Sequence, residues 1–448
     1  MRIAVIGSGI AGLGAAWLLA KEHEVTLYER DVRLGGHSNT IDIQYGDRSF
    51  PIDTGFIVYN SANYPNLIRL FNHIGVSTDG SNMSFSVSAL GGDLEYEGSL
   101  LGAVAQPINL LKPWYLGMWR DTIRFYKTAP ASLENPDDAN LTLGTYLDRQ
   151  GYGDAFRMHH ILPMAAAIWS CPIDTMLAFP LRSFVRFFIN HGLFSLTSRP
   201  QWRTVTGGSR VYVKKLADRL GNRVRLDEPI CSVRRLEGGV LVKEKCGKHT
   251  LYDQVIIGAH GDQTIAMLED PSDQELKLLS AFRYQKNIAV LHRDPHLMPR
   301  RRHVWASWNY LSNGDQNQKE RVSLTYWMNK LQNIDRRYPV FVTMNPLTEP
   351  DPALTFATFN YEHPIFDSRA LDAQELLPAI QGTNRTWYCG SYCGYGFHED
   401  GLKSAIAVAR GLGAEIPWLC NVTPANELSS CRTGHINDAP NILSIMGG

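Results

Sequence analysis

The first thirty residues constrain this chain most. "RIAVIGSG" has the length and apolar content of a short buried strand ending in a glycine turn, and "IAGLGAAWLLAKE" reads as the helix after it. "EVTLYER" follows as a second strand of parallel-sheet character. Gly7, Gly9 and Gly12 stand as G-x-G-x-x-G between strand and helix, with Ser8 and Ala11 in the same turn. The first glycine permits the tight turn, the second lets a pyrophosphate reach the backbone, and the third lets helix pack on strand. Unpaired N–H groups and the helix dipole favour negative charge at that N-terminus. Glu29 comes 17 residues after Gly12, at the end of the second strand, with Arg30 beside it. A carboxylate there accepts ribose hydroxyls. Alone, the glycines would describe an ordinary turn. With strand, helix and acid in register they predict a dinucleotide-binding, Rossmann-like fold.

The chain has 448 residues, which predicts two domains or one large composite. Its 44 basic and 44 acidic residues cancel, leaving no overall field to hold nucleic acid. The seven cysteines (171, 231, 246, 389, 393, 420 and 431) are odd in number and scattered. They match neither a disulfide framework nor a paired-CxxC zinc site, so the setting reads as reducing and cytoplasmic. His159, His160, His292, His303 and His398 have no metal-ligand spacing, and no metal is expected. The apolar start could mimic a secretory leader, but its glycines belong to the fold motif. No apolar run approaches the roughly 18 residues of a membrane span.

Two further stretches extend the fingerprint. "RLGGHSNT" (33–40) supplies Gly35 and Gly36, and "PIDTGFIVYN" (51–60) supplies Asp53-x-Gly55 and then Phe56. They resemble the flavin-binding signatures of the monoamine oxidase, protoporphyrinogen oxidase and carotenoid desaturase superfamily. The resemblance implies FAD, lined by Glu29, Arg33, Gly35, Gly36, Asp53, Gly55 and Phe56. His37 stands where that family usually carries arginine. The fold implied is α/β, a glutathione-reductase-like FAD domain (1–60, 203–270 and 376–420) with an interleaved α+β substrate domain (61–202 and 271–375). Residues 421–448 form a polar tail. No second G-x-G-x-x-G is present for a pyridine nucleotide.

Other positions follow from the same resemblance. Val233 matches a valine whose backbone meets adenine. "YCGSYCGYGFHEDGLKSA" (388–405) reads as a strand, a glycine-rich bend and a helix. There Gly390 would approach the pyrophosphate, and the N–H groups of Asp400, Gly401 and Leu402 would lie under the flavin ring. Phe397 would face the substrate, and His398 has no role beyond its neighbourhood. Lys286 lies in a stretch resembling the one where amine oxidases hold a lysine near the flavin; the alternative is a surface lysine at a strand end. Cys389 and Cys393 lack CxxC spacing and read as small residues packed behind a cofactor.

A narrower likeness rests on "LGGHSNT", "DTGFIVYN", "NYPNLIRLF", "NMSFSVS", "AAIWSCP", "RPQWRTVTGGSRVYVKKL" and "GYGFHEDGL". These are similar to flavoproteins fused ahead of cyclopropane-fatty-acid synthases or encoded as their stand-alone neighbours. The likeness implies an FAD-dependent oxidoreductase that oxidises or desaturates a fatty-acyl chain by hydride transfer, with such a synthase as a partner. The alternatives are a flavin amine oxidase for a small amine and an FAD-stabilised, non-catalytic partner of the synthase. After Pro113, Arg120, Arg124 and Lys127 share a helix face among Trp114, Tyr115, Trp119, Ile123 and Tyr126. That face could rest on an anionic membrane, at its inner side, or pack on the core with a solvated basic edge. Phe184, Phe187, Phe188 and Trp169 read as core rather than tunnel wall.

Overall fold

The computed structural model describes residues 1–169, 173–194, 200–312 and 323–419. The tail from 421 and Cys171, Cys420 and Cys431 fall outside these residues. A parallel sheet takes its strands in the order Val224–Arg225, Glu24–Tyr28, Arg2–Ile6, Gln254–Ile257 and Thr386–Tyr388. Its strands come from the beginning, middle and end of the chain. They are short and apolar because both faces are covered; Ile3, Ala4, Val5, Val255 and Ile256 have no solvent exposure. On one face lie the helices Ile10–Leu19 and His398–Gly411, in contact at Gly14, where a Cβ would come within 3.2 Å of Leu402. On the other lies an antiparallel meander, Ile230–Leu236, Gly239–Glu244 and His249–Tyr252. This is the α/β fold that the sequence predicts.

The second region is a seven-stranded sheet in the order Thr355–Ile365, Arg283–His292, Phe341–Met344, Ser323–Trp327, Trp308–Leu311, Phe85–Ala89 and Leu94–Glu97. All its pairs are antiparallel except Trp308–Leu311 with Phe85–Ala89. Helices Pro113–Thr128, Leu143–Arg149, Leu162–Trp169 and Leu181–Asn190 share a core with this sheet around Phe125, Phe156, Phe184, Phe188 and Tyr310. Phe184, Phe187 and Phe188 are thus core residues, each 2 % exposed or less.

Asp53 serves the fold rather than the cavity. Its carboxylate accepts hydrogen bonds from Thr40 Oγ1 (2.6 Å), Ser209 N (2.9 Å), Ser209 Oγ (2.7 Å) and Gln332 Nε2 (3.1 Å). This ties the strand Arg48–Asp53 to the start of the helix Arg210–Asp218. Gly208, at φ +87°, lets that turn close: a Cβ there would lie 2.4 Å from Thr40 Cγ2. Burial raises the Asp53 carboxyl to about 6 against these donors.

Candidate active site

A cavity of about 650 Å³ lies between the two regions. It opens off the carboxyl ends of the parallel strands, where such sheets bind ligands. At one end it is walled by Gly7, Ser8, Gly9, Glu29, Arg30, Glu228 and Ile230. Gly7 turns at φ +97°, and Gly12 packs so closely that a Cβ would sit 2.0 Å from the Gly7 carbonyl oxygen. Gly9 differs: a Cβ there would meet nothing within 4 Å, so this backbone is open to the cavity. The first intrahelical bond of Ile10–Leu19 is Leu13 N to Gly9 O, which leaves the preceding N–H groups beside the cavity for a ligand anion. Glu29 accepts from Ser8 N (2.9 Å), Ser8 Oγ (2.5 Å) and Asp31 N (3.0 Å). Three bonds hold it at the strand end and leave lone-pair capacity for a ribose. Glycine cradle, free N–H groups and acceptor acid together fit a dinucleotide.

Midway along, Gly36 (φ +56°) abuts Gly9, and a Cβ on Gly55 would lie 2.2 Å from the His37 carbonyl oxygen. His37 stacks on Tyr361 (centroids 5.0 Å apart) beside His363 (5.2 Å). Burial holds its pKa well below the ordinary histidine value, and its Nε2 is buried without a partner. That orphaned nitrogen, where the family resemblance leads one to expect arginine, is available to a bound cofactor.

His363 has a fixed tautomer. The N–H of Ile288 donates to Asn345 Oδ1 (2.9 Å), Asn345 Nδ2 donates to Asn287 Oδ1 (2.8 Å), and Asn287 Nδ2 faces His363 Nδ1 (2.9 Å). The backbone donor orients both amides, so Nδ1 accepts and Nε2 carries the proton. Burial lowers this imidazole to about 4, with the nearby His260 adding to the shift, so it is neutral at pH 7 and lines the cavity.

The far end is an apolar chamber. Met83, Ile168, Trp169, Trp202, Trp308, Tyr326, Met344, Phe366 and Phe397 form its walls. Among the described residues no lysine lines the cavity, and the lining arginine, Arg30, belongs to the nucleotide end. The lining acids are Glu29, Asp31, Glu228 and Glu362. The last pairs with His260 (3.4 Å), which is close enough to Arg30 to feel its charge.

The cavity brings together Gly7, Ser8, Gly9, Ala11, Glu29, Arg30, Gly35, Gly36, His37, Gly55, Phe56, Gly390, Phe397 and His398. The other candidates lie elsewhere, each for a physical reason. Val233 is fully buried beneath the meander, with its carbonyl taken by Glu269 N (3.0 Å); Ile230, three residues earlier, lines the cavity instead. Arg33 stays outside the wall and donates to Leu34 O (3.4 Å). Lys286 is exposed, because the inward position of its strand belongs to Asn287. In the closing helix, Gly401 N–H is already bonded to Phe397 O (3.1 Å). Helical geometry commits Leu402 N–H likewise, and its side chain packs in the core. The Asp400 carboxylate accepts from Tyr395 N (3.1 Å) and Phe397 N (3.0 Å), closing the glycine-rich bend.

His398 gains a role. Its Nε2 bonds with Ser38 Oγ (2.9 Å) and Tyr212 OH (3.1 Å), and its ring stacks on Phe56 at 3.7 Å. Burial lowers its pKa to about 3, so a neutral ring pins the start of the closing helix to the Gly35–Gly36 turn. Cys389 and Cys393 are free thiols; burial pushes Cys389 far up and Cys393 to about 12, so neither is a thiolate. Sequence reasoning missed Tyr361, His363 and Trp308. Tyr361 and His363 stand on Thr355–Ile365, paired with Arg283–His292, while Trp308 stands on Trp308–Leu311, paired with Ser323–Trp327 and Phe85–Ala89; no motif marks these strands in the sequence.

Comparison with known proteins agrees with this geometry. The family described as flavin containing amine oxidoreductase matches residues 10–290. "Amine oxidase [flavin-containing] A" from Canis lupus familiaris is 28 % identical over 261 residues, covering 56 % of this chain and 47 % of the relative. The chain thus spans about half the length of the curated relatives it matches. Cyclohexylamine oxidase from Brevibacterium oxydans IH-35A superposes with a TM-score of 0.65 at 14 % identity, covering 92 % of this chain and 99 % of that one. A fatty acid isomerase from P. acnes, described as CLA-producing, superposes with a TM-score of 0.64 at 17 % identity, covering 91 % and 98 %. These structures share the fold. With the family match spanning well over half the chain and a cavity that fits a dinucleotide, the chain belongs to the flavin containing amine oxidoreductases and FAD is its cofactor.

Proposed function

We propose that this protein is an FAD-dependent oxidoreductase that oxidises the acyl chain of a fatty acid or phospholipid. The observation that carries the substrate class is the chamber of aromatic and aliphatic side chains beyond His37. Among the described residues the walls of this chamber carry no carboxylate, and the lining acid Glu362 lies against His260. A methylene chain would find dispersion contacts and a dry environment. Bound FAD supplies the hydride acceptor. The chain's own residues hold the dinucleotide at Gly9 and Glu29, exclude water with Trp169, Trp202 and Trp308, and offer the His363 Nε2–H to the cavity. The fold serves amine oxidases and a fatty acid isomerase alike, so the choice of substrate falls to the chamber.

The likeness to amine oxidase A favours a second reading, oxidation of a small amine. One experiment separates the two. Oxidised holoprotein is mixed anaerobically with free fatty acids, acyl phospholipids and small amines, and the flavin's visible absorbance is followed. Bleaching by acyl compounds alone is expected. Bleaching by amines alone would replace the acyl reading.

A further inference from the structure

Outside the cavity, one surface combines features that neither the fold nor the proposed chemistry uses. Between residues 101 and 116 the chain exposes Leu101 (84 %), Ile108 (63 %), Leu111 (78 %) and Leu116 (51 %). Isolated exposed leucines are ordinary, but a run of them within sixteen residues is not. No acidic residue occurs from 98 to 120; Lys112 is the cation within the segment, and Arg120 just beyond it pairs with Asp121 (3.4 Å).

A second segment joins this one at the same edge strand, Leu94–Glu97. The buried Glu95 carboxylate accepts Arg300 N (2.7 Å), Arg301 N (3.1 Å), Arg301 Nη1 (2.9 Å) and Ser88 Oγ (2.9 Å). That anchors the run "RRRH" (300–303) by its backbone and by Arg301, and leaves Arg300 and Arg302 exposed. Glu95 N donates to Gln106 Oε1 (2.7 Å), which also accepts Asn109 Nδ2 (2.7 Å) and so fixes the apolar segment to the same residue. His303 Nε2 approaches Ala105 O (3.2 Å), joining the two segments directly. Of the acids at this edge, Glu95 is buried, Glu97 accepts Ser99 N (3.0 Å), and Asp93 is exposed.

We propose that the apolar segment 101–116 and the basic run 300–303, both fastened to the edge strand Leu94–Glu97, form a docking face for an anionic lipid bilayer. Charge complementarity selects this occupant. Exposed aliphatic side chains flanked by arginine and lysine enter the interfacial layer while the cations meet lipid phosphates. The basic face of Pro113–Thr128 is not the docking element in its own right. Arg124 lies 3.9 Å over the Tyr152 ring and donates to the carbonyls of Gln150 and Gly151.

The test is sedimentation of the FAD-loaded full chain with phosphatidylcholine vesicles, with and without phosphatidylglycerol, and it reads binding, not turnover. Binding is expected mainly to the anionic vesicles. The double substitution Arg300→Gln/Arg302→Gln should lower it about 25-fold, about five-fold per charge. Leu101→Ser/Leu111→Ser should lower it about ten-fold or more. Flavin content and melting temperature, which should not change, verify that the variants fold. Equal binding by the wild type and both variants would overturn the proposal. So would a self-associating wild type whose dimer both variants dissolve, since the face would then belong to a second copy.

Discussion

The two ends of the cavity are built by different means. The nucleotide end is made largely of backbone from the first thirty residues, glycines and a helix N-terminus beside Glu29, and is closed by Glu228 and Ile230. The substrate end is made of side chains from Met83, Trp169, Trp202, Trp308 and Met344, which only the tertiary fold assembles. A backbone site constrains which residues are allowed, and so writes itself into the sequence. A side-chain chamber requires only bulk and apolarity, which many sequences supply.

The sharpest way to break this comparison lies within the glycine motif. Gly12→Ala places a Cβ 2.0 Å from the Gly7 carbonyl oxygen, a backbone atom that cannot move aside without opening the turn. It should destabilise the apoprotein by about 3 kcal/mol or more. Gly9→Ala meets nothing in the protein, so the apoprotein should melt as the wild type does. Its methyl group instead enters the space for the pyrophosphate, and FAD affinity should fall about 10- to 100-fold. Thermal melts of apoprotein and fluorimetric FAD titration measure both. If Gly9→Ala bound FAD normally, the cradle would be elsewhere.

The chamber should respond in the opposite pattern. Met344 is 5 % exposed and lines the apolar end. Met344→Gln keeps roughly the same volume but brings in an amide with no partner, at a cost of about 1–3 kcal/mol. FAD content should stay at the wild-type level while kcat/KM for the acyl substrate falls about ten-fold or more. Met344→Leu should retain activity within about three-fold. Equal loss in both variants would mark a packing role instead.

The same contrast explains what could be read in advance. Gly7, Gly9, Gly12 and Glu29 were legible because their spacing encodes one turn and one strand end. Gly35, Gly36 and Gly55 were legible by resemblance, and their positive φ or close backbone approach gives the cause. Val233 was misplaced because the strand Ile230–Leu236 offers several apolar residues, and which one meets the cavity depends on how the meander is set against the sheet. Lys286 failed for a related reason: a single residue of phase decides between solvent and interior. His363 could not be found at all, since its tautomer depends on Asn287 and Asn345, each far from it in sequence.

His398 stands at the junction of the two ends and gives the smallest test. Its folded pKa of about 3 lies below the ordinary histidine value of 6.5. Between these values the unfolded chain takes up a proton that the folded protein refuses, so stability falls as pH falls from 6.5 toward 3. Each such group contributes about 1.4 kcal/mol per pH unit. His363, lowered to about 4, adds to this slope, while Asp53, raised to about 6, opposes it between pH 6 and 4. His398→Gln can keep a hydrogen bond to Ser38 yet has no proton to take up. Denaturant unfolding of wild type and variant at several pH values should therefore show a slope shallower by one proton, with Asp53 cancelling in the difference. An unchanged slope would mean that His398 reaches water and is protonated in the folded protein. The neutral ring could not then be what joins the glycine-built end of the cavity to the closing helix.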